Sequence, residues 1–206
     1  MTDTHRKTVR DGYDTIAERY LDERVTGGDM LLLPELVSRL APHDAVLDAG
    51  CGAGVPVMPR LVRAGLRPVG LDLSRTQLGL AQSLVAGTDL VQADLAALPF
   101  RGGSFAGVVS FYSVIHVPRS DHPTVFAEFR RVVRQGGIAL VCLGAGDLPE
   151  DDDGESWLGT RMFWSHFDAR TNLELLAEVG FEILRHEIVP DPMSHGRHLF
   201  ALVRRA

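Results

Sequence analysis

Three carboxylates and a glycine-dense turn carry the strongest chemical signal in this chain. The run Val46-Leu47-Asp48-Ala49-Gly50-Cys51-Gly52-Ala53-Gly54 reads as a buried strand that closes on Asp48 and enters a turn with glycine at alternate positions. Glycine there lets the backbone pass against a ligand where a Cβ would collide. A second strand-like run, Val69-Gly70-Leu71-Asp72, ends in an acid 24 positions after Asp48 (72 minus 48). That spacing fits one βαβ unit whose second strand presents a carboxylate to a ribose, so the pair predicts a nucleoside-cofactor site. A dinucleotide fingerprint, G-x-G-x-x-G, would place its third glycine at position 55, which is Val55. The third glycine is Gly54 instead. Asp48, two residues before Gly50, would repel a pyrophosphate and attract a cationic or amine-bearing ligand.

In these residues the chain resembles the class I S-adenosylmethionine-dependent methyltransferases, whose glycine loop commonly reads D-x-G-x-G-x-G. Asp48, Gly50, Gly52 and Gly54 match it position for position, and the resemblance extends over residues 44 to 204. It implies that Asp48 and the backbone of Gly50, Cys51, Gly52 and Gly54 hold the methionine part of the cofactor S-adenosyl-L-methionine. Asp72 would take both ribose hydroxyls, as a carboxylate's two oxygens can, with Leu73 and Gln77 just beyond it. After the third strand, Asp94 would accept from the adenine amino group and the Leu95 amide would donate to the ring. Ser110 and Phe111, ending the fourth strand, would face the cofactor. Tyr13, Ala17 and Tyr20 share one face of the first helix; in small-molecule members of the family such a helix closes over the cofactor, which makes Tyr20 the expected lid contact, while core packing suits the same stripe.

The implied activity is methyl transfer to an O or N atom of a small molecule. Because the sulfonium makes its own methyl electrophilic, the protein mainly positions a nucleophile, and no fixed catalytic triad is required. His116, in Ser113-Val114-Ile115-His116, and His166, in Trp164-Ser165-His166, are the candidate bases, each with a packing role as the alternative. His195 belongs to a loop that could roof the same crevice, and Trp164 and Phe167 suit packing against the sheet. Two departures from the family pattern stand out. Ala106 occupies a position where aspartate is usual, and no Asn or Asp followed by two prolines and an aromatic follows strand four, as enzymes that methylate exocyclic base nitrogens usually show.

The elements that position these residues alternate. Helices are expected at His5 to Arg24 and Met30 to Leu40, ahead of strands at 45–49, 67–72, 90–92, 105–111 and 138–143 and helices at 57–64, 74–85 and 121–134. Strand and helix in strict turn predict an α/β, Rossmann-like parallel sheet covered on both faces. Ser74 and Asp121 are expected caps, Gln135-Gly136-Gly137 a helix stop, and Pro59 an awkward third residue after Pro56. A helix at 171–179 then leads to strands at 181–189 and 197–203, joined by a Pro-Asp-Pro loop, which should pair antiparallel. From the resemblance come seven strands in the order 3-2-1-4-5-7-6 with the seventh reversed.

With 206 residues and no low-complexity tract, one domain is expected, residues 1–43 forming a helical lid and 44–206 the catalytic core. Forty-five per cent hydrophobic and 23% charged residues, with no apolar run near the roughly 20 needed to span a bilayer, predict a protein with no membrane partner, and the polar N-terminus predicts a cytoplasmic one. A net charge of −6 gives no basic footprint for nucleic acid. Cys51 and Cys142 are too few for a disulfide framework. The eight histidines show no ligand spacing for a metal, and the acidic run Glu150 to Glu155 lacks the calcium-loop pattern; it reads as a solvated loop. Three further readings stay open: a non-catalytic S-adenosylmethionine-binding regulatory module, a nicotinamide-dependent oxidoreductase, against which Val55 stands, and a methyltransferase acting on protein or RNA, for which the sequence shows neither a basic groove nor a peptide-binding signature. Neither the acceptor nor the oligomeric state is encoded in a readable pattern.

Overall fold

Short helices and apolar strands alternate to build one twisted sheet and the layers that cover it. The computed structural model of the chain describes residues 3–23, 30–150, 155–191 and 196–206; Arg24, Asp151, Asp152, Asp153, Pro192 and His195 lie outside them. Helix α1 (Asp3–Glu23) and the short α2 (Leu33–Ser38) come first. They are followed by β1 (Ala45–Ala49), α3 (Val57–Arg63), β2 (Arg67–Asp72), α4 (Arg75–Leu84), β3 (Asp89–Gln92), β4 (Phe105–Ser110), α5 (His122–Val132) and β5 (Val133–Gly144). A hairpin of β6 (Glu155–Trp157) and β7 (Thr160–Met162), then α6 (Ala169–Glu178), β8 (Phe181–Pro190) and β9 (Arg197–Arg205), complete the order.

Seven strands line up as β3-β2-β1-β4-β5-β9-β8. Neighbours from β3 to β5 run parallel, while β9 is antiparallel to both β5 and β8. This is the topology expected of the family, with β8 and β9 as its sixth and seventh strands. The β6–β7 pair is additional and forms a separate two-stranded sheet in the aromatic-rich segment, where the sequence predicts no strands.

The sheet is apolar on both faces, as a covered parallel sheet must be. Alternate residues of one strand go to opposite layers: Leu47, Ala49 and Val108 pack with Phe126 and Phe129, whereas Val46 and Val109 pack with Leu36, Leu140 and Phe200. Every residue of β4 is buried. Burial of each large side chain contributes about 1.5 to 3 kcal/mol. Because β1 is flanked by β2 on one side and β4 on the other, the chain leaves it in opposite directions, which opens a crevice beyond the carboxyl ends of these strands.

Local signals resolve unevenly. Ser74 caps α4, its Oγ accepting from Gln77 N at 3.1 Å. Asp121 makes no side-chain cap to α5, since its backbone (φ −97°, ψ −6°) is already helical and a capping residue needs extended geometry. Pro59 is the third residue of α3, inside the first turn, where an N–H has no intrahelical acceptor in any case. The Gln135-Gly136-Gly137 stop lies inside β5 and not after a long helix. Strand β5 begins at Val133, and between the pairs Phe105↔Val133 and Gly107↔Ile138 it advances five residues against two, a bulge that Gly136 turns at φ +72°.

One core histidine makes the fold acid-sensitive. His122, the first residue of α5, is fully buried, its Nε2–H donating to Val117 O at 3.0 Å, and burial pushes its pKa from 6.5 down to about 4. Between those values the unfolded chain holds a proton that the folded chain rejects, so stability falls as pH drops through this window. The expected loss is about 2 kcal/mol by about pH 5. Urea unfolding at neutral pH and near pH 5 should show it, and His122→Gln should shrink the difference even while lowering stability at neutral pH.

Candidate cofactor site

At the carboxyl ends of β1, β2 and β4 lies a cavity of about 230 Å³, roofed by α1. Asp48, Gly50, Cys51 and Gly52 line it from the β1 turn; Asp72, Leu73 and Gln77 from the end of β2 and the start of α4; Asp94 and Leu95 from beyond β3. Phe111, Tyr112, Ser113 and His116 close it beyond β4, and Tyr13 and Tyr20 reach down from α1. No lysine or arginine is among the described residues that line it.

The turn after β1 is fixed by its own amides. Gly50 N and Cys51 N both donate to Leu71 O, at 2.7 and 2.9 Å, bolting the turn to β2. Gly50 and Gly52 are left-handed, at φ +79° and +53°. A Cβ on Gly52 would meet only Gln77 Oε1, at 3.6 Å, so this stretch of backbone faces open cavity. Gly54 differs: a Cβ there would press on Val85, Met58 and Ala81. The third glycine therefore packs the turn against α3 and α4 and does not line the cavity.

Asp72 sits at the centre of the network. Its Oδ2 accepts from Gly52 N and its Oδ1 from Ser74 N, both at 2.8 Å. Burial raises its pKa, the Asp14 carboxylate adds to the rise, and the amides of Ser74, Gly52 and Leu73 oppose it. Two of the carboxylate's roughly four acceptor positions stay available to hydroxyl donors. Asp48 is 2% exposed. Burial, together with Asp48 and Asp72, pushes the Cys51 thiol well above its ordinary pKa, which leaves it an unreactive packing group.

Gln77 supplies a direct test of fit. It is 1% exposed, lines the cavity, and neither its Oε1 nor its Nε2 has a hydrogen-bond partner among the described residues. A buried amide in that state costs free energy until a polar ligand meets it. The described lining is thus rich in acceptors, acidic, without lysine or arginine, and completed by one unspent amide. Hydroxyls, an ammonium and a sulfonium suit this set, whereas phosphates do not.

Helix α1 is tied down at three points that the sequence reading did not connect. Arg6 Nε donates to Asp94 Oδ2. The carboxylate of Asp14 accepts from Ser74 Oγ at 2.5 Å and Thr76 N at 3.1 Å. Tyr13 OH lies 2.8 Å from His116 Nε2, and Tyr20 stacks edge-on against Tyr13 with ring centroids 5.3 Å apart. Tyr112, also absent from the sequence reading, has a left-handed backbone at φ +55°, rare for a bulky residue, and stacks edge-on against His198 at 4.9 Å.

Besides Gly54, two predicted site residues lie elsewhere. Ser110 is fully buried behind the cavity wall, its Oγ 2.6 Å from Ser113 Oγ. His166 does not line the cavity; its ring fills the space that Gly144 leaves by lacking a side chain, and its Nδ1 pairs with Gly146 O at 2.8 Å. Trp164 packs against His116 and Trp157, and Phe167 under Arg119 and beside His122. Among the described residues no cluster of His, Cys, Asp or Glu could hold a metal ion, and no helix is long and apolar enough to cross a membrane.

Comparison with known proteins agrees with this geometry. Residues 46–137 match a family model described as a methyltransferase domain. The sterol 24-C-methyltransferase ERG6B of Gibberella zeae is 30% identical over 162 residues, an alignment covering 72% of this chain and 42% of that protein. This chain spans roughly half, or less, of the length of the curated relatives it matches. Among solved structures, the 1,6-didemethyltoxoflavin-N1-methyltransferase of Burkholderia thailandensis, crystallised with 1,6-didemethyltoxoflavin and S-adenosylhomocysteine, superposes with a TM-score of 0.75 at 20% identity, covering 96% of this chain and 87% of that one. The [4+2]-cyclase SpnF shares the fold with a TM-score of 0.73 at 18% identity, over 97% and 96% of the two chains. The sheet order, the acidic glycine turn and these matches support a class I S-adenosylmethionine-dependent methyltransferase.

Proposed function

We propose that this chain transfers a methyl group from S-adenosylmethionine to an O or N atom of a small molecule, in the cytoplasm, as one domain with residues 1–43 as lid and 44–206 as core. The observation that carries the reading is the convergence of Asp48, Asp72 and Asp94, from beyond three neighbouring strands, on one cavity whose described lining holds no lysine or arginine. The cofactor supplies an activated methyl on a sulfonium. The protein's tasks are to bind, orient and exclude water. Asp48 offers its charge to the ammonium group and Asp72 its remaining acceptor positions to the ribose. Asp94 and the Leu95 amide address the adenine, with Leu73 and Phe111 as apolar contacts. Gln77 meets the cofactor with its unspent amide, and Tyr20 closes over it. Gly54 and Ser110 act from behind, by packing. Of the two candidate bases only His116 stands at the cavity. A net charge of −6 and a described lining free of lysine and arginine favour a small acceptor over nucleic acid.

Titration calorimetry with S-adenosylhomocysteine should show one site per chain, and labelled methyl should pass from S-adenosylmethionine to a member of a metabolite panel. A folded protein that ignores S-adenosylhomocysteine would remove the reading. A second reading is a non-catalytic S-adenosylmethionine-binding regulatory module, since fold alone does not fix activity; binding without transfer to any acceptor is its signature. Against a nicotinamide oxidoreductase stand Val55, the packing role of Gly54 and a described lining with no lysine or arginine for a pyrophosphate. Nicotinamide fluorescence on mixing would revive it.

A further inference from the structure

Where α1 meets the segment beyond β4, the cavity holds a phenol and an imidazole in a defined order. His116 Nδ1 lies 2.8 Å from Phe163 O, a carbonyl that can only accept, so in the neutral ring this nitrogen carries the hydrogen. Nε2 is then the lone-pair nitrogen, and Tyr13 OH, 2.8 Å away, donates to it. The two rings stand perpendicular, with centroids 5.2 Å apart. His116 is 5% exposed, and both residues line the cavity that Asp48 and Gly50 also line.

Both partners are held from outside the pair. Phe163 stacks on His5 at 4.2 Å, and two residues later Ser165 N donates to Ile115 O at 2.9 Å, fixing the carbonyl that sets the imidazole tautomer. On the other side Arg6 and Asp14 anchor α1 before and after Tyr13. A tyrosine placed only to pack would not need its oxygen aimed at the basic nitrogen of a tautomer-locked histidine inside a ligand cavity.

We propose that Tyr13 is the catalytic residue that takes the acceptor's proton, that His116 is the positioning residue behind it, and that the acceptor is a weakly acidic hydroxyl of the phenol or enol class. This rests on the methyl-transfer reading above. As the acceptor O–H proton moves to Tyr13 Oη, the Tyr13 proton moves to His116 Nε2, leaving an imidazolium that the Phe163 carbonyl stabilises and that later loses its proton to water. The acceptor oxygen forms its new bond to the methyl carbon, and the C–S electron pair remains on the cofactor's sulfur, which leaves as a neutral thioether. A relay through a phenol works best for a donor of similar acidity, which favours phenols and enols over alcohols. An amine with a free lone pair would not need it before attack.

Two measurements on the full chain test this. The first needs no acceptor: imidazole ¹⁵N spectra with S-adenosylhomocysteine bound should show His116 protonated on Nδ1, and Tyr13→Phe should move its Nε2 resonance while leaving S-adenosylhomocysteine affinity within about twofold. A ring protonated on Nε2, or one blind to Tyr13→Phe, overturns the relay; loss of S-adenosylhomocysteine binding by the unaltered protein would instead overturn the parent reading. The second offers labelled S-adenosylmethionine with panels of simple phenols, enols, aliphatic alcohols and amines. Transfer should favour phenols or enols, and Tyr13→Phe and His116→Gln should each lower kcat about 10²- to 10⁴-fold and flatten the rise of rate with pH. Turnover of amines alone, or native rates and pH profile in Tyr13→Phe, overturns it. If no panel member accepts a methyl, the tautomer spectra alone decide.

Discussion

Asp72→Ala is expected to weaken S-adenosylhomocysteine binding by about 2 to 3 kcal/mol, roughly 30- to 160-fold, the scale of charge-assisted hydrogen bonds. The carboxylate holds Gly52 N and Ser74 N before any ligand arrives, so alanine removes ribose acceptors and also loosens the glycine turn from the start of α4. Asp72→Asn retains one acceptor oxygen and should fall between native and alanine. A second readout follows from the raised pKa. Above its ordinary value of 3.8 and below the raised one, the folded protein without ligand keeps a proton that the unfolded chain gives up, so this group's contribution to stability declines as pH climbs through that window. Hydroxyl donors from a ribose favour the ionised form. Binding therefore releases a proton, and affinity falls as pH is lowered into the window. Calorimetry in buffers of different ionisation enthalpy should detect that proton, and Asp72→Asn should abolish it. Native-like affinity in Asp72→Ala would mean that the ribose is held elsewhere.

What the sequence reveals about this site follows from how local its causes are. Asp48 and Asp72 are legible because each closes an apolar run at a spacing only a βαβ unit explains, and parallel strands deliver such residues to one edge. The sheet order is legible for the same reason, once the alternation of elements excludes other topologies. The lid is not. Its three ties join residues 88, 60 and 103 positions apart: Arg6 to Asp94, Asp14 to Ser74 and Tyr13 to His116. Nothing in the helical stripe of Tyr13, Ala17 and Tyr20 shows which ring will meet a histidine. His166 misleads for a related reason, because the seat that draws its ring out of the crevice is a missing side chain at Gly144 on another strand. The β6–β7 hairpin escapes because two three-residue strands are too short to show a period.

Gly50→Ala should do the most damage of any single methyl added to the turn. At φ +79° an alanine meets the steric cost of the left-handed region, about 1 to 2 kcal/mol. The new Cβ would also stand 2.2 Å from Ser113 Cβ and 2.7 Å from its Oγ. Ser113 cannot turn aside freely, since its Oγ donates to Ala49 O at 3.0 Å and lies 2.6 Å from Ser110 Oγ. The turn must therefore shift, straining the Gly50 and Cys51 bonds to Leu71 O and the Gly52 bond to Asp72. Overpacking of this kind adds about 1 to 3 kcal/mol, for a total near 2 to 5 kcal/mol of stability, with cofactor binding lost along with the turn geometry. Gly65 separates the two causes. It too is left-handed, at φ +76°, but a Cβ there meets nothing within 4 Å. Gly65→Ala should consequently pay only the backbone cost, about 1 to 2 kcal/mol, and bind S-adenosylhomocysteine as the native chain does. Denaturant midpoints and calorimetry on the pair make the comparison. Equal losses in both variants would show that Ser113 yields, and that the turn is held less tightly than its hydrogen bonds indicate.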